Sequence, residues 1–249
     1  MGPNSLIEKI FNSMQVQDNQ GNVFKLAGNI DRTEGNYIYD IINQNKTISN
    51  TLEIGCGYGL SSLFICSALQ KRHNAKHTII DPFQYKDYYG IGISNLKRIN
   101  CTFFELIQEP SEYALAKLTQ TQPGAFDLIF IDGWHTFDHT LLDLFYSNRL
   151  LKIGGYLIID DCRLPSVAKA ISYFSKYPAY KIYSQTDNSN LSFKAKLTKY
   201  FSRIIPEAFI ISLFPLKLSQ LLTRVKFSSM VTLIKLNNDE RSSRWYRDF

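Results

Sequence analysis

The sequence predicts an α/β fold: a doubly wound parallel sheet with helices on both faces. Three observations predict it. From Thr51 to Tyr183, short apolar runs alternate with helical patterns. The first of these runs passes into Glu53-Ile54-Gly55-Cys56-Gly57-Tyr58-Gly59, which reads as strand, tight turn and helix N-terminus. Four of the six strands read this way end in acids: Glu53, Asp81, Asp132 and Asp160-Asp161.

Two amphipathic helices come first. Ser5 to Met14 places Leu6, Ile7, Ile10, Phe11 and Met14 at helical spacing. Residues 15–33 read as polar and irregular. Thr33-Glu34-Gly35 then precedes Tyr37-Ile38-Ile41-Ile42. Residues 1–46 are thus expected as an N-terminal helical cap, and 47–187 with 228–249 as the main domain. Its strands are Thr51–Ile54, Lys76–Ile80, Thr102–Ile107, Phe126–Ile131, Tyr156–Ile159 and Tyr180–Tyr183, with Met230–Leu236 the last. Its helices are Ser61–Leu69, a helix closing at Asn95–Ile99, Ser111–Leu118, Phe137–Leu151 and Val167–Phe174. In the fourth, Phe137, Leu141, Leu144, Phe145 and Leu151 are expected inward. Gly154-Gly155 reads as a turn.

Charge marks off residues 188–227. This stretch carries Lys194, Lys196, Lys199, Arg203, Lys217, Arg224 and Lys226 against Glu207, which equals the whole formal net charge of +6. Such confinement argues against nucleic acid, whose binders usually carry basic residues on the main body. The insertion also holds broken apolar runs interrupted by Pro206 and Pro215, so short helices are expected. Three surfaces compete for its apolar residues: the active-site cleft as a lid that selects substrate, a second copy in a homodimer, or an anionic membrane touched peripherally. Cys56, Cys66, Cys101 and Cys162 form no C-x-x-C pair, so reduced, buried thiols in a cytoplasmic protein are expected. No apolar stretch is long enough to span a bilayer.

In open α/β sheets, ligands lie beyond the carboxyl ends of the strands. The G-x-G-x-G spacing, with Leu60 where a dinucleotide fold prefers glycine or alanine, argues against NAD. Glu53 would repel a pyrophosphate but attract an ammonium, which points to S-adenosylmethionine. Asp81, ending strand two, suits both hydroxyls of a ribose. Asp132, Asp160 and Asp161 would repel one another unless protonated or bridged by a cation, and oxygen-only donors suit Mg²⁺. His135 is placed to act as a general base or to begin a helix. His135 and His139 make H-x-x-x-H, but with no adjacent Glu and no nearby cysteine zinc is disfavoured.

These residues resemble a known family. Glu53-Ile54-Gly55-Cys56-Gly57-Tyr58-Gly59 is similar to the first motif of class I S-adenosylmethionine-dependent methyltransferases. Ile131-Asp132-Gly133-Trp134-His135-Thr136-Phe137 and Gly154-Gly155-Tyr156-Leu157-Ile158-Ile159-Asp160-Asp161 resemble the methyltransferase 24 group, related to metal-dependent sugar and catechol-type O-methyltransferases. Thr33-Glu34-Gly35 and Asp81-Pro82-Phe83 fit that group. The resemblance implies a Rossmann-like sheet of seven strands with the last antiparallel. It implies a cofactor site of Glu53, Gly55, Cys56, Gly57, Tyr58, Asp81, Ser111 and Asp132, with the methionine moiety at Glu53 and the glycines, the ribose at Asp81 and the adenine near Ser111. It implies Mg²⁺ on Asp132, Asp160 and Asp161, with His135 and Asp132 catalytic. The expected reaction is O-methylation of a small molecule or sugar. The alternative is an S-adenosylmethionine-binding domain without metal, docked on a membrane or partner through 188–227.

Overall fold

The computed structural model describes residues 2–186, 229–242 and 244–245. The expectations for 188–227 lie outside the described residues. The chain runs α1 (Pro3–Ser13), β1 (Gln15–Gln17), β2 (Val23–Lys25), α2 (Arg32–Gln44), β3 (Asn50–Ile54) and α3 (Leu60–Leu69). It continues with β4 (Lys76–Ile80), α4 (Ile91–Arg98), β5 (Phe104–Ile107), α5 (Ser111–Thr121) and β6 (Phe126–Ile131). Then come α6 (Phe137–Leu150), β7 (Leu151–Ile159), α7 (Pro165–Phe174), β8 (Tyr180–Gln185) and β9 (Val231–Lys235).

Seven strands form one sheet in the order β5-β4-β3-β6-β7-β9-β8. β9 pairs antiparallel with both β7 and β8, and the other pairings are parallel. This is the expected Rossmann-like sheet with its last strand reversed. The strands are buried on both faces, so they read as apolar runs and not as alternation. Along β6, Leu128 and Phe130 enter a core with α1 to α4, while Phe126, Ile129 and Ile131 enter a second core with α5 to α7.

Three local expectations are corrected. Residues 15–33 contain a small antiparallel hairpin, β1 with β2, too short to show a pattern. Gly154-Gly155 is not a turn ahead of the strand. β7 runs through it, with the pairing to β6 slipping between Phe126 and Leu128, the kind of irregularity glycine permits. On α6, Phe137 and Phe145 are exposed; the buried positions include Leu144 but also Thr140, Asp143, Ser147 and Asn148. Leu144 and Leu151 are buried as expected and Leu141 packs against the second core, so the two phenylalanines are what departs from the pattern.

The entry to α2 is fixed by a capping box. The Asp31 carboxylate accepts from the Glu34 amide at 2.9 Å, and the Glu34 carboxylate accepts from the Asp31 amide at 2.7 Å. Gly35 lets α2 lie against α3, because a Cβ there would fall 2.1 Å from the Phe64 ring. Asp31→Ala should destabilise the fold by about 1 kcal/mol, read as a lower urea midpoint at unchanged slope. No effect would mean the cap is idle.

Candidate functional site

The order of strands reverses between β3 and β6, and a crevice opens beyond their carboxyl ends. It is a cleft of about 500 Å³ lined by Gly55, Cys56, Gly57, Tyr58, Asp81, Ser111, Asp132 and His135, with Gly28, Asn29 and Ile30 at one side. A more open hollow of about 780 Å³ involves Thr119, Arg149, Lys152 and Asp239, at the amino ends of β6 and β7. It holds none of the predicted side chains.

The glycine turn is held by Asp81. One carboxylate oxygen of Asp81 accepts from the Cys56 amide at 3.2 Å, from Gly57 at 3.0 Å and from the Gln84 side chain at 3.2 Å; the other accepts from the Phe83 amide at 2.8 Å. Gln84, which sequence reasoning missed, also donates to the Gly57 carbonyl at 2.9 Å and accepts from the Gly92 amide at 3.0 Å. The Asn95 side chain donates to the Tyr58 carbonyl at 3.0 Å. A buried carboxylate that accepts from four donors fixes the turn.

Glu53 departs from expectation. It does not line the cleft. Leu52 and Ile54 face the α5–α7 core, so by the alternation of a strand Glu53 points the other way, towards α3. There it is fully buried, accepts from the Ser62 hydroxyl and lies 3.0 Å from His77 Nε2; Thr51 Oγ1 is 2.9 Å from His77 Nδ1. Its Oε1 has no hydrogen-bond partner in the protein.

At the other end of the cleft, His135 Nε2 lies 3.1 Å from an Asp161 oxygen and 3.4 Å from Asp132 Oδ1. Ligand atoms of Asp132, His135 and Asp161 all lie within 4.8 Å of one another. Asp161 reaches this spot because the chain has left β7, turning through φ +53°. Asp160 is not in that group. It is buried, and its carboxylate accepts the Asp161 amide at 2.7 Å. Burial, then the charges of Asp132 and Glu34, push Asp160 up to about 9. Burial raises Asp132 to about 6, while the Asp132 hydrogen bond raises His135. The acids thus resist sharing this space as free anions. Neither acid caps α7, whose N-cap is Leu164.

His139 is no partner of His135. Its Nδ1 is 2.7 Å from the Thr136 hydroxyl, and its ring stacks on Trp134 at 5.3 Å. Trp134 in turn meets the edge of Phe83 at 5.9 Å, and Tyr58 meets Tyr88 at 5.1 Å. These rings make flat apolar walls for the cleft. Periodicity does not find them, because they sit on loops. All four cysteines are free and buried, as expected. No helix among the described residues is long and apolar enough to cross a membrane.

Residues 52–162 match the methyltransferase 24 family, described as a methyltransferase domain. An uncharacterized protein of Acanthamoeba polyphaga mimivirus is 24% identical over 151 residues, which is 57% of this chain and 58% of that protein. The chain therefore spans somewhat over half the length of the curated relative it matches. Among solved structures, the O-methyltransferase of Bacillus cereus in complex with S-adenosylhomocysteine (SAH) has a TM-score of 0.62 at 14% identity, covering 93% of this chain and 90% of that one. The SAH-bound methyltransferase of Podospora anserina gives 0.56 at 17% identity over 72% and 81%. The O-methyltransferase TomG of Streptomyces achromogenes, involved in tomaymycin synthesis and bound to S-adenosylmethionine, gives 0.55 at 12% identity over 84% and 82%. At these identities the likeness is one of fold.

Proposed function

Starting from a chain that carries a methyltransferase domain over residues 52–162, we propose that it transfers the methyl group of S-adenosylmethionine to a hydroxyl of a small molecule or sugar. One observation carries this reading: the glycine turn and its Asp81 anchor share a cleft with the Asp132–His135 pair. The cleft volume suits a ligand of that size. Gly57, at φ +53°, has the Tyr88 ring near its open side, which leaves room for a ligand to come close to the turn. The orphaned Glu53 Oε1 lies on the α3 side, so Glu53 shapes the turn from beneath and does not touch the cofactor.

The cofactor supplies an electrophilic methyl group on a sulfonium. The chain does the rest. Trp134, Phe83 and Tyr88 wall the cleft against water. The acceptor hydroxyl lies against Asp132 and His135, and its oxygen attacks as its proton passes to His135. Asp132 and Asp161 stabilise the resulting imidazolium. A divalent cation such as Mg²⁺ would be held by Asp132 and Asp161 and would lower the pKa of the hydroxyl. Asp160, expected as the third ligand, would first have to lose its proton.

The test is calorimetry with S-adenosylmethionine and SAH, with and without Mg²⁺. Asp81→Asn keeps the shape but removes the charge that anchors the turn, so SAH affinity should fall about tenfold or more. Absence of binding by the native protein would remove the reading. Unchanged affinity in the variant would remove Asp81 from it.

A further inference from the structure

The β1–β2 hairpin lies outside the matched region 52–162, yet hydrogen bonds run from it to the glycine turn. Arg98, the last residue of α4, donates from Nη1 to the Gln17 carbonyl at 2.8 Å and from Nη2 to the Asp18 carbonyl at 3.0 Å. Nη1 also donates to Asn95 Oδ1 at 2.9 Å. Asn95 is 1% exposed, and its Nδ2 donates to the Tyr58 carbonyl at 3.0 Å. These partners fix the orientation of the Asn95 amide, because a guanidinium only donates and a carbonyl only accepts. All three acceptors of Arg98 are neutral, so its charge acts on the Asn95 amide and strengthens the donation from Nδ2. Neither residue lines the cofactor cleft. Both line a separate hollow of about 540 Å³, with Leu6, Ile10 and Val16.

We propose that Arg98 is a positioning residue for cofactor binding: acting through Asn95, it couples the β1–β2 hairpin to the Tyr58 carbonyl and holds the glycine turn in its binding shape. This rests on the reading that the turn takes S-adenosylmethionine or SAH. The Tyr58 carbonyl needs such an anchor. Gly57 at φ +53° and Gly59 at φ +82° flank it, and glycine backbone turns easily. Asp81 and Gln84 hold the turn as far as the Gly57 carbonyl, and Asn95 holds the next one. The α4 backbone abuts the turn closely enough to pass on a displacement: a Cβ on Gly92 would lie 2.8 Å from the Gly57 carbonyl oxygen. The hairpin also reaches the cleft wall by a second route. Phe24 stacks on Tyr89 at 4.5 Å, and the adjacent Tyr88 lines the cleft.

The experiment measures SAH affinity by calorimetry, and stability by urea unfolding, for the native protein, Arg98→Ala, Asn95→Ala, their double variant and Asn95→Asp. Each of the two alanine variants should weaken SAH about five- to tenfold, as for one hydrogen bond lost. The double variant should be no weaker than Asn95→Ala, because Arg98 acts on the turn only through Asn95. Its stability should still fall below that of Asn95→Ala, since the bonds to Gln17 and Asp18 are lost as well. Asn95→Asp separates positioning from hairpin docking. It keeps an acceptor for Arg98 but offers the Tyr58 carbonyl no donor, so its SAH affinity should fall like that of Asn95→Ala. Arg98 is only partly buried, so Arg98→Ala keeps the test alive if the Asn95 variants do not fold. Native affinity in Arg98→Ala or in Asn95→Asp, or losses that multiply in the double variant, would overturn the proposal and leave the cofactor reading standing. No SAH binding by the native protein would overturn both.

Discussion

Gly55→Ala should cost about 3–5 kcal/mol of stability and abolish SAH binding. Gly55 sits at φ +87°, and a Cβ there would lie 2.0 Å from the Asp132 carbonyl oxygen and 2.7 Å from its carbon. Left-handed backbone alone costs an L-residue roughly 1–2 kcal/mol. The remainder comes from the clash. Backbone cannot rotate away as a side chain can, so the ends of β3 and β6 must separate. That breaks the bond from the Asp132 amide to the Ile54 carbonyl at 2.9 Å, and strains the bond from the Gly55 amide to the Ile80 carbonyl at 2.9 Å. Both flank the cleft, so fold and binding fail together. In a chain of this size the loss corresponds to a melting temperature lower by roughly 10 °C. Gly124→Ala is the control: φ is +61°, but nothing lies within 4 Å of the added carbon. Equal melting temperatures for the two variants would show that the strand-end contact is not a constraint.

His135→Ala should lower the turnover rate by about 10²–10⁴, the usual contribution of a general base, with SAH affinity held within about threefold. The pH profile gives a second readout. The hydrogen bond with Asp132, then the charge of Asp161, raise His135 above the ordinary imidazole value of 6.5. A base works only when neutral, so the rate should rise with pH and level off above that value. Asp161→Asn removes one stabilising charge, so its plateau should begin at lower pH. A rate that falls as pH rises from 6 to 8, or a flat profile, would exclude His135 as the proton acceptor.

How much of this was legible beforehand follows from the range of each interaction. The β-α alternation, the glycine turn and the acids at strand ends are local patterns, and they gave the sheet and the cleft. Strand alternation placed Asp81 and Asp132 at the carboxyl edge. The same alternation could have placed Glu53 on the α3 face, with Leu52 and Ile54 on the other, but the attraction of an acid for an ammonium outweighed it. His77, Glu53's partner, lies one strand away at the pairing neighbour of Thr51, which no local pattern reveals.

The sequence by itself determined the fold class, the strand order's reversed last member through the family resemblance, and the edge at which chemistry sits, because these depend on periodicity and on residue types close along the chain. The tertiary structure decided which side chains share space. It buried Asp160 and brought out Asp161, because two residues past β7 the backbone turns left-handed. It placed His139 against Trp134 and away from His135. It put the buried carboxylate of Asp143 behind Gly133 of the cleft wall. Desolvation and partner geometry depend on all the neighbours at once, and those neighbours come from strands and helices that meet only when the sheet is assembled.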